Sequence, residues 1–293
     1  MLRVQPLGMQ SLLSRLMPLA ITLRGSKRRF SSAERTRARV AYLRQHPSKW
    51  APPARVRARE SSVDGWPVYE IGDERWPRSA VYLHGGANIY EIDARHWSMV
   101  AELAAATSTR FIVPIYPLAP VGTAGPVVEA VANLVTKTRA STLLGDSAGG
   151  GMALATAMVL RDRGAGTPRV VMISPSLDLT LSDPRVAEVA KTDPWLDVPG
   201  AAAAAELYRG DLPLTDPRVS SIFGDLEGLG ELAIFIGTRD MLHSDAERLR
   251  DKAAETGHPL EYHEVENMLH VYPILPIPEA RVARRQIADF MTA

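Results

Sequence analysis

Ser147 lies in Gly145-Asp146-Ser147-Ala148-Gly149, a G-x-S-x-G run between a short apolar stretch (141–144) and a stretch of helix formers (149–163). A serine on a sharp strand-to-helix turn needs small neighbours, because a Cβ two residues away on either side would collide with adjacent backbone. Such a turn lifts the hydroxyl clear of a sheet and aims the following amides, at a helix N-terminus, toward developing negative charge. That arrangement suits attack on a carbonyl. The hydroxyl is a poor nucleophile, however, until a base takes its proton, and the base needs an acid to hold its tautomer. A tight turn without chemistry is the plain alternative.

In open α/β sheets, reacting groups gather at the carboxyl ends of strands. Thr238-Arg239-Asp240 follows the apolar run 231–237 and offers one carboxylate, Asp240. Glu266-Asn267-Met268-Leu269-His270 follows the run 260–265 and ends in a histidine. His243 is too close to Asp240 along the chain, His258 precedes a strand, and His263 lies inside one. The expected triad is therefore Ser147, Asp240 and His270, in the chain order of α/β-hydrolases and not of chymotrypsin-like or subtilisin-like proteases. Taken singly, Asp240 also reads as an acid opening a helix, and His270 as a buried structural histidine. A second glycine loop, His84-Gly85-Gly86-Ala87-Asn88, follows the run 79–83. The amides of Gly85 and Gly86, with that of Ala148, are the expected oxyanion donors, and His84 is expected to shape the loop. A plain glycine turn is the alternative here.

The elements that must position these groups follow from periodicity. Helices are predicted over 9–23 and 31–45, the second opened by a capping box from Ser31 to Glu34. Strands are predicted over 55–61 and 66–71, joined at Asp64-Gly65. A strand over 79–83, a helix over 93–107, a strand over 110–116 and a helix over 124–139 lead to the elbow strand. Beyond the elbow helix come strands 169–174, 231–237 and 260–265, with helices 244–255 and 278–291. Residues 176–222 carry Asp-Pro pairs and a helical stretch over 200–208, and read as an insertion. This alternation predicts an α/β fold, a mostly parallel, doubly wound sheet of eight strands.

The chain has no cysteine, which excludes disulfides, thiol nucleophiles and Cys-ligated metals. A net charge of +1 makes no case for nucleic acid. The first 60 residues nonetheless hold fourteen basic and two acidic residues, so the remainder is net acidic. This segment is expected to fold back as a cap, with Leu12, Leu13, Leu16, Met17 and Leu19 docking it at the active-site mouth. No run approaches the ~18 apolar residues of a membrane span, and the apolar run 16–23 lacks a cleavage site. The reading is a cytoplasmic protein, with membrane-surface contact through the basic segment and homodimer formation left open.

The motifs H-G-G (84–86), Y-x-L-A-P (116–120) and G-D-S-A-G-G (145–150) resemble the hormone-sensitive lipase family of α/β-hydrolases, in its bacterial esterase branch. D-P-x-x-S (216–220), D-L-x-G-L (225–229), G-T-R-D-x-L (237–242) and N-M-L-H-V (267–271) extend the resemblance toward the C-terminus. It implies a cap over the active site made from residues 1–54 and the 176–222 insertion, on a catalytic domain spanning 55–293. Asn88, Ile89, Tyr90, Leu118, Trp195 and Tyr208 are then expected pocket walls, with ordinary core as the alternative for each. The implied activity is hydrolysis of short- to medium-chain carboxylic esters through an acyl-enzyme, with a small-molecule ester as partner and no metal or organic cofactor. Lactone or amide hydrolysis uses the same triad, and a plant hormone receptor of this fold lacks the catalytic histidine that His270 supplies here. Ala87, Pro117, Val121 and Arg239 depart from the family's usual residues.

Overall fold

The computed structural model describes residues 10–47 and 50–293. Met9, where the first helix was expected to start, and Ser48 and Lys49 of the cap segment lie outside these residues. The eight strands are β1 (Arg59–Val63), β2 (Trp66–Ile71), β3 (Arg78–Leu83), β4 (Thr109–Pro114), β5 (Thr142–Asp146), β6 (Arg169–Ile173), β7 (Leu232–Gly237) and β8 (Leu260–Val265). They form one sheet in the order β1-β2-β4-β3-β5-β6-β7-β8. β1 and β2 are antiparallel, β2 is antiparallel to β4, and every later pairing is parallel. This is an α/β-hydrolase sheet.

Strand side chains alternate between two cores, as a period of two requires. Leu143, Val170 and Ile234 face one layer, which holds the helices α4 (Ala124–Thr138), α5 (Ala148–Asp162) and α8 (His243–Thr256). Leu144, Val171 and Phe235 face the other, which holds α3 (Ala94–Thr107) and α9 (Pro278–Thr292). At the β1–β2 hairpin Val63 pairs with Trp66, and Asp64 and Gly65 have φ of 50° and 83°, the pair of left-handed residues that a tight primed turn demands. β1 starts at Arg59, later than Arg55, because Val56 turns into the core as part of the chain leading to the strand.

Four further helices lie outside the sheet layers: α1 (Leu12–Leu23), α2 (Ala33–Gln45), α6 (Pro184–Ala190) and α7 (Val198–Arg209). The insertion thus holds two helices where one helical stretch was expected. α2 packs against α7, and the Gly200 amide donates to the Phe30 carbonyl at 2.8 Å. Ser32, not Ser31, caps α2, accepting from the Arg35 amide at 3.2 Å. The adjacent serines satisfy the local rule equally well, and the anchoring of Phe30 one residue earlier sets which of them begins the helix.

α1 departs further from expectation. Leu12, Leu13, Leu16 and Leu19 are largely exposed, and none docks the helix. Ile21 is buried, Met17 packs partly against the core, and Glu279 of α9 accepts hydrogen bonds from the Ser11 amide (2.8 Å), Ser11 Oγ (3.0 Å) and Ser14 Oγ (2.9 Å). A polar clamp at the helix start takes the place of the expected leucine face. Among the described residues, no helix is long and apolar enough to cross a membrane.

Candidate active site

Ser147 joins β5 to α5 with φ 52° and ψ −120°, a strained conformation for a residue with a side chain. The turn closes because a Cβ at Gly145 would meet the Gly149 carbonyl, and one at Gly149 would meet the Leu83 carbonyl. Ser147 Oγ lies 3.0 Å from His270 Nε2, and His270 Nδ1 lies 2.9 Å from Asp240 Oδ2. A carboxylate can only accept, so Nδ1–H donates to Asp240 and Nε2 is left to accept the serine proton. All three side chains are buried. Asp240 Oδ1 accepts from the Leu242 amide within its own loop at 3.0 Å, and the His270 loop is tied to β6's end, where the Val271 amide donates to Ser174 Oγ at 2.9 Å.

The glycine loop differs from expectation in one respect. The Gly85 amide donates to Asp146 Oδ1 at 2.9 Å, so it is not free to meet an oxyanion. Among the described residues, the amides of Gly86, Ala87 and Ala148 have no acceptor. Ala87 and Asn88 sit at φ of 53° and 58°, in the left-handed region usually left to glycine, and this backbone turn brings the loop round beside Ser147. His84 holds the loop as expected: its ring stacks on Tyr116 at 4.5 Å, and its Nδ1 lies 2.7 Å from the Gly85 carbonyl. Burial pushes the His84 pKa down to about 4, which leaves a neutral ring.

The space around Ser147 divides into two compartments. The larger, about 410 Å³, is walled by His270, Tyr90 and Trp195 among others. The smaller, about 40 Å³, is lined by Ser147, Asn88 and apolar side chains that include Leu179, Leu196 and Met241. Of the expected pocket walls, Tyr90 and Trp195 line the larger compartment and Asn88 the smaller. Ile89 and Tyr208 are buried in the core, and Leu118 packs against it, so these three expected wall residues line neither compartment. Their types suited a wall or a core equally; the turn at Ala87 and Asn88 directs Ile89 inward.

A match to the α/β-hydrolase fold family spans residues 80–274, well over half the chain. The chain belongs to that family. Within it, the chain is similar to an esterase of Acinetobacter venetianus, 29% identical over 72% of this chain and 74% of the relative. It is also similar to an acetyl-hydrolase of Streptomyces hygroscopicus, 31% identical over 68% of this chain and 71% of the relative. Among solved structures it is similar to an esterase from the bacterial hormone-sensitive lipase family, with a TM-score of 0.81, 26% identity, and 97% of this chain and 99% of that chain covered. The chain is thus a hormone-sensitive-lipase-like α/β-hydrolase.

Two groups in this α/β-hydrolase escaped the reading of its sequence. Asp193, buried in the insertion, accepts from the Trp195 amide at 2.7 Å and from the Met241 amide, next to Asp240, at 3.0 Å. Burial, and then repulsion from Asp240, raise its pKa. In the sequence it stands in one of the Asp-Pro pairs that mark residues 176–222 as an insertion. Asp146 accepts from Tyr82 Oη and lies 3.3 Å from His96 Nε2, while His96 Nδ1 lies 3.1 Å from Asp93 Oδ1. Burial opposes the charged ring of His96, but Asp146 and Asp93 outweigh it and push its pKa up to about 10. The same balance acts on His270: burial opposes its charge, while Asp240, Asp193 and Asp146 raise its pKa.

Among the described residues, one group of histidine and carboxylate side chains is close enough to hold a metal: His243, Glu247 and Glu264. His243 Nε2 already lies 2.8 Å from Glu264, and Glu247 pairs with Arg185 at 2.7 Å. The group is a hydrogen-bonded network on α8 and β8, with Glu247 facing Arg185 and Arg250 and Glu264 accepting from Tyr262 Oη.

Proposed function

We propose that this chain is a serine esterase that cleaves carboxylic esters of short acyl chains through an acyl-enzyme. The observation that carries this is the hydrogen-bonded line Ser147 Oγ, His270, Asp240, set beside the three free amides of Gly86, Ala87 and Ala148. Ser147 Oγ bonds to the carbonyl carbon while His270 Nε2 takes its proton, and the carbonyl oxygen becomes an oxyanion facing the free amides. The C–O bond to the alcohol then breaks, and His270 returns the proton to the departing alkoxide. Water repeats the sequence on the acyl-enzyme and releases the acid. Asp240 keeps the imidazole in the required tautomer and offsets its charge.

The proton hand-back assigns the compartments. The departing alkoxide must meet His270, which walls the larger compartment and not the smaller one. The alcohol part therefore occupies the larger space and the acyl part the smaller. A cavity of about 150 Å³ admits benzene, so about 40 Å³ suits an acetyl or propionyl tail. The Streptomyces relative is an acetyl-hydrolase, which agrees with this size.

The test is labelling by a fluorophosphonate alongside turnover of p-nitrophenyl acetate. Wild type is expected to label and turn over, and Ser147→Ala to do neither. Equal labelling of the variant, or a wild type inert toward every activated short-chain ester, overturns the proposal.

A further inference from the structure

We propose that Arg29 and Arg39 form an anion subsite in the larger compartment, so that the preferred ester carries a negative group, carboxylate or phosphate, on its alcohol part. This rests on the serine esterase reading and goes beyond it. Charged side chains of both signs wall this compartment. Arg29, Arg39, Arg95 and His96 supply the cationic side chains, with His270 as the base; Glu91, Asp93 and Asp146 supply the carboxyls. Asp93 is engaged by Arg95 and His96, and Asp146 by His96, Tyr82 and the Gly85 amide. Arg95 also lies over the Trp195 ring, 5.1 Å from its centroid. These groups cancel one another. Arg29 and Arg39 remain, and among the described residues neither makes an ion pair.

Among the described residues, Glu91 makes no ion pair with either of them. Burial alone pushes its carboxyl up to about 7, with no cation pulling it down, and its Oε2 is buried without a partner. Arg39 Nε is buried without a partner as well, and Tyr90 Oη lies beside Arg39. Arg29, Arg39 and Tyr90 line the same compartment, and both arginines oppose the rise that burial gives the Tyr90 phenol's pKa. A buried donor without an acceptor is costly, and an anion between the two guanidinium groups supplies one to Arg39 Nε. Arg39 is half-buried with its guanidinium 5.1 Å from the centre of the Tyr42 ring, and Arg29 is exposed at the rim. The pair thus spans from the mouth of the compartment inward. Both arginines come from the basic leading segment, which gives that segment a role in choosing the substrate.

The experiment compares 4-acetoxybenzoate and 4-acetoxyphenyl phosphate with the neutral 4-acetoxybenzamide. For each enzyme the readout is kcat/KM for an anionic ester divided by that for the amide, so intrinsic ester reactivity cancels between variants. A charge-assisted contact of this kind is expected to change that ratio about 10- to 100-fold. Arg39→Gln and Arg29→Gln are each expected to lower it, mainly through KM. Arg281→Gln, which removes an equal charge from an exposed site on α9, is expected to leave it unchanged. A larger fall for the benzoate than for the phosphate, or the reverse, tells which anion the subsite prefers. Equal ratios in wild type and both arginine variants overturn the proposal. Arg29 is exposed, so its variant stays informative if Arg39→Gln does not fold. Binding of 4-hydroxybenzoate against 4-hydroxybenzamide to Ser147→Ala, with and without Arg39→Gln, reads the subsite even if no ester is cleaved. Failure of the esterase reading is a separate result, the loss of turnover of the amide as well.

Discussion

The Gly85 amide donates a 2.9 Å hydrogen bond to Asp146, the residue just before Ser147, so the elbow itself holds the glycine loop in place. Asp146→Ala removes this tie and leaves His96 and Tyr82 without their buried partner. Breaking a buried charge pair costs about 3–5 kcal/mol, to be read from denaturant unfolding. The folded fraction is expected to lose roughly 100-fold in kcat, as when one oxyanion donor is lost, with KM little changed. Asp146→Asn keeps an acceptor for Gly85 and is expected to recover part of the loss. A variant with full kcat shows that the loop holds its shape without Asp146.

The base must be neutral to accept the serine proton, so activity rises with pH through the pKa of His270. Asp240, Asp193 and Asp146 raise that pKa against burial, so the acidic limb of kcat/KM is expected above the ordinary histidine value of about 6.5. Asp193→Asn removes one of the charges favouring imidazolium and is expected to move the limb to lower pH. An unmoved limb leaves Asp193 a purely structural role. By linkage, the raised pKa adds stability that is fully present below about pH 6.5 and is lost as pH rises through the folded value. Thermal unfolding of wild type against His270→Ala across that window shows the sign.

Leu179 walls the small compartment together with Ser147, Ala87 and Ala148. Leu179→Ala is expected to lengthen the acyl space and raise the hexanoate-to-acetate ratio of kcat/KM about tenfold or more, given ~1–3 kcal/mol per methylene accommodated. Profiling p-nitrophenyl esters of increasing chain length checks this. A wild-type optimum at the longest chains contradicts the assignment of the small compartment to the acyl group.

The clamp on α1 yields a contrast between two kinds of substitution. Glu279→Ala leaves the Ser11 and Ser14 donors without their acceptor and is expected to destabilise the fold by about 1–3 kcal/mol. Limited proteolysis should then cut within residues 12–23 sooner than in wild type. Leu12→Gln and Leu16→Gln, at exposed positions, are expected to stay within about 0.5 kcal/mol of wild type. The reverse order restores the leucine face as the docking surface.

Some of this molecule is written in short stretches of its sequence. The elbow at Gly145–Gly149, the Asp64-Gly65 turn and the alternation of strands with helices depend on sterics and periodicity within a few residues. Asp240 and His270 were legible because a parallel sheet presents its loops at one edge, so position after a strand is enough to nominate them. Other features depend on partners far away along the chain. Gly85 meets Asp146 across 61 residues, Asp193 meets Met241 across 48, and Ser11 meets Glu279 across 268. No local pattern says that the Gly85 amide is already engaged, that a second carboxylate stands behind Asp240, or that the leucines of α1 face outward. Which donors remain free, and which charges remain unpaired, is settled only when every neighbour has been placed. The sequence determined which residues could do chemistry. The tertiary structure decided which amides, arginines and walls are left to meet a substrate, because a hydrogen bond or ion pair made inside the protein removes that group from use.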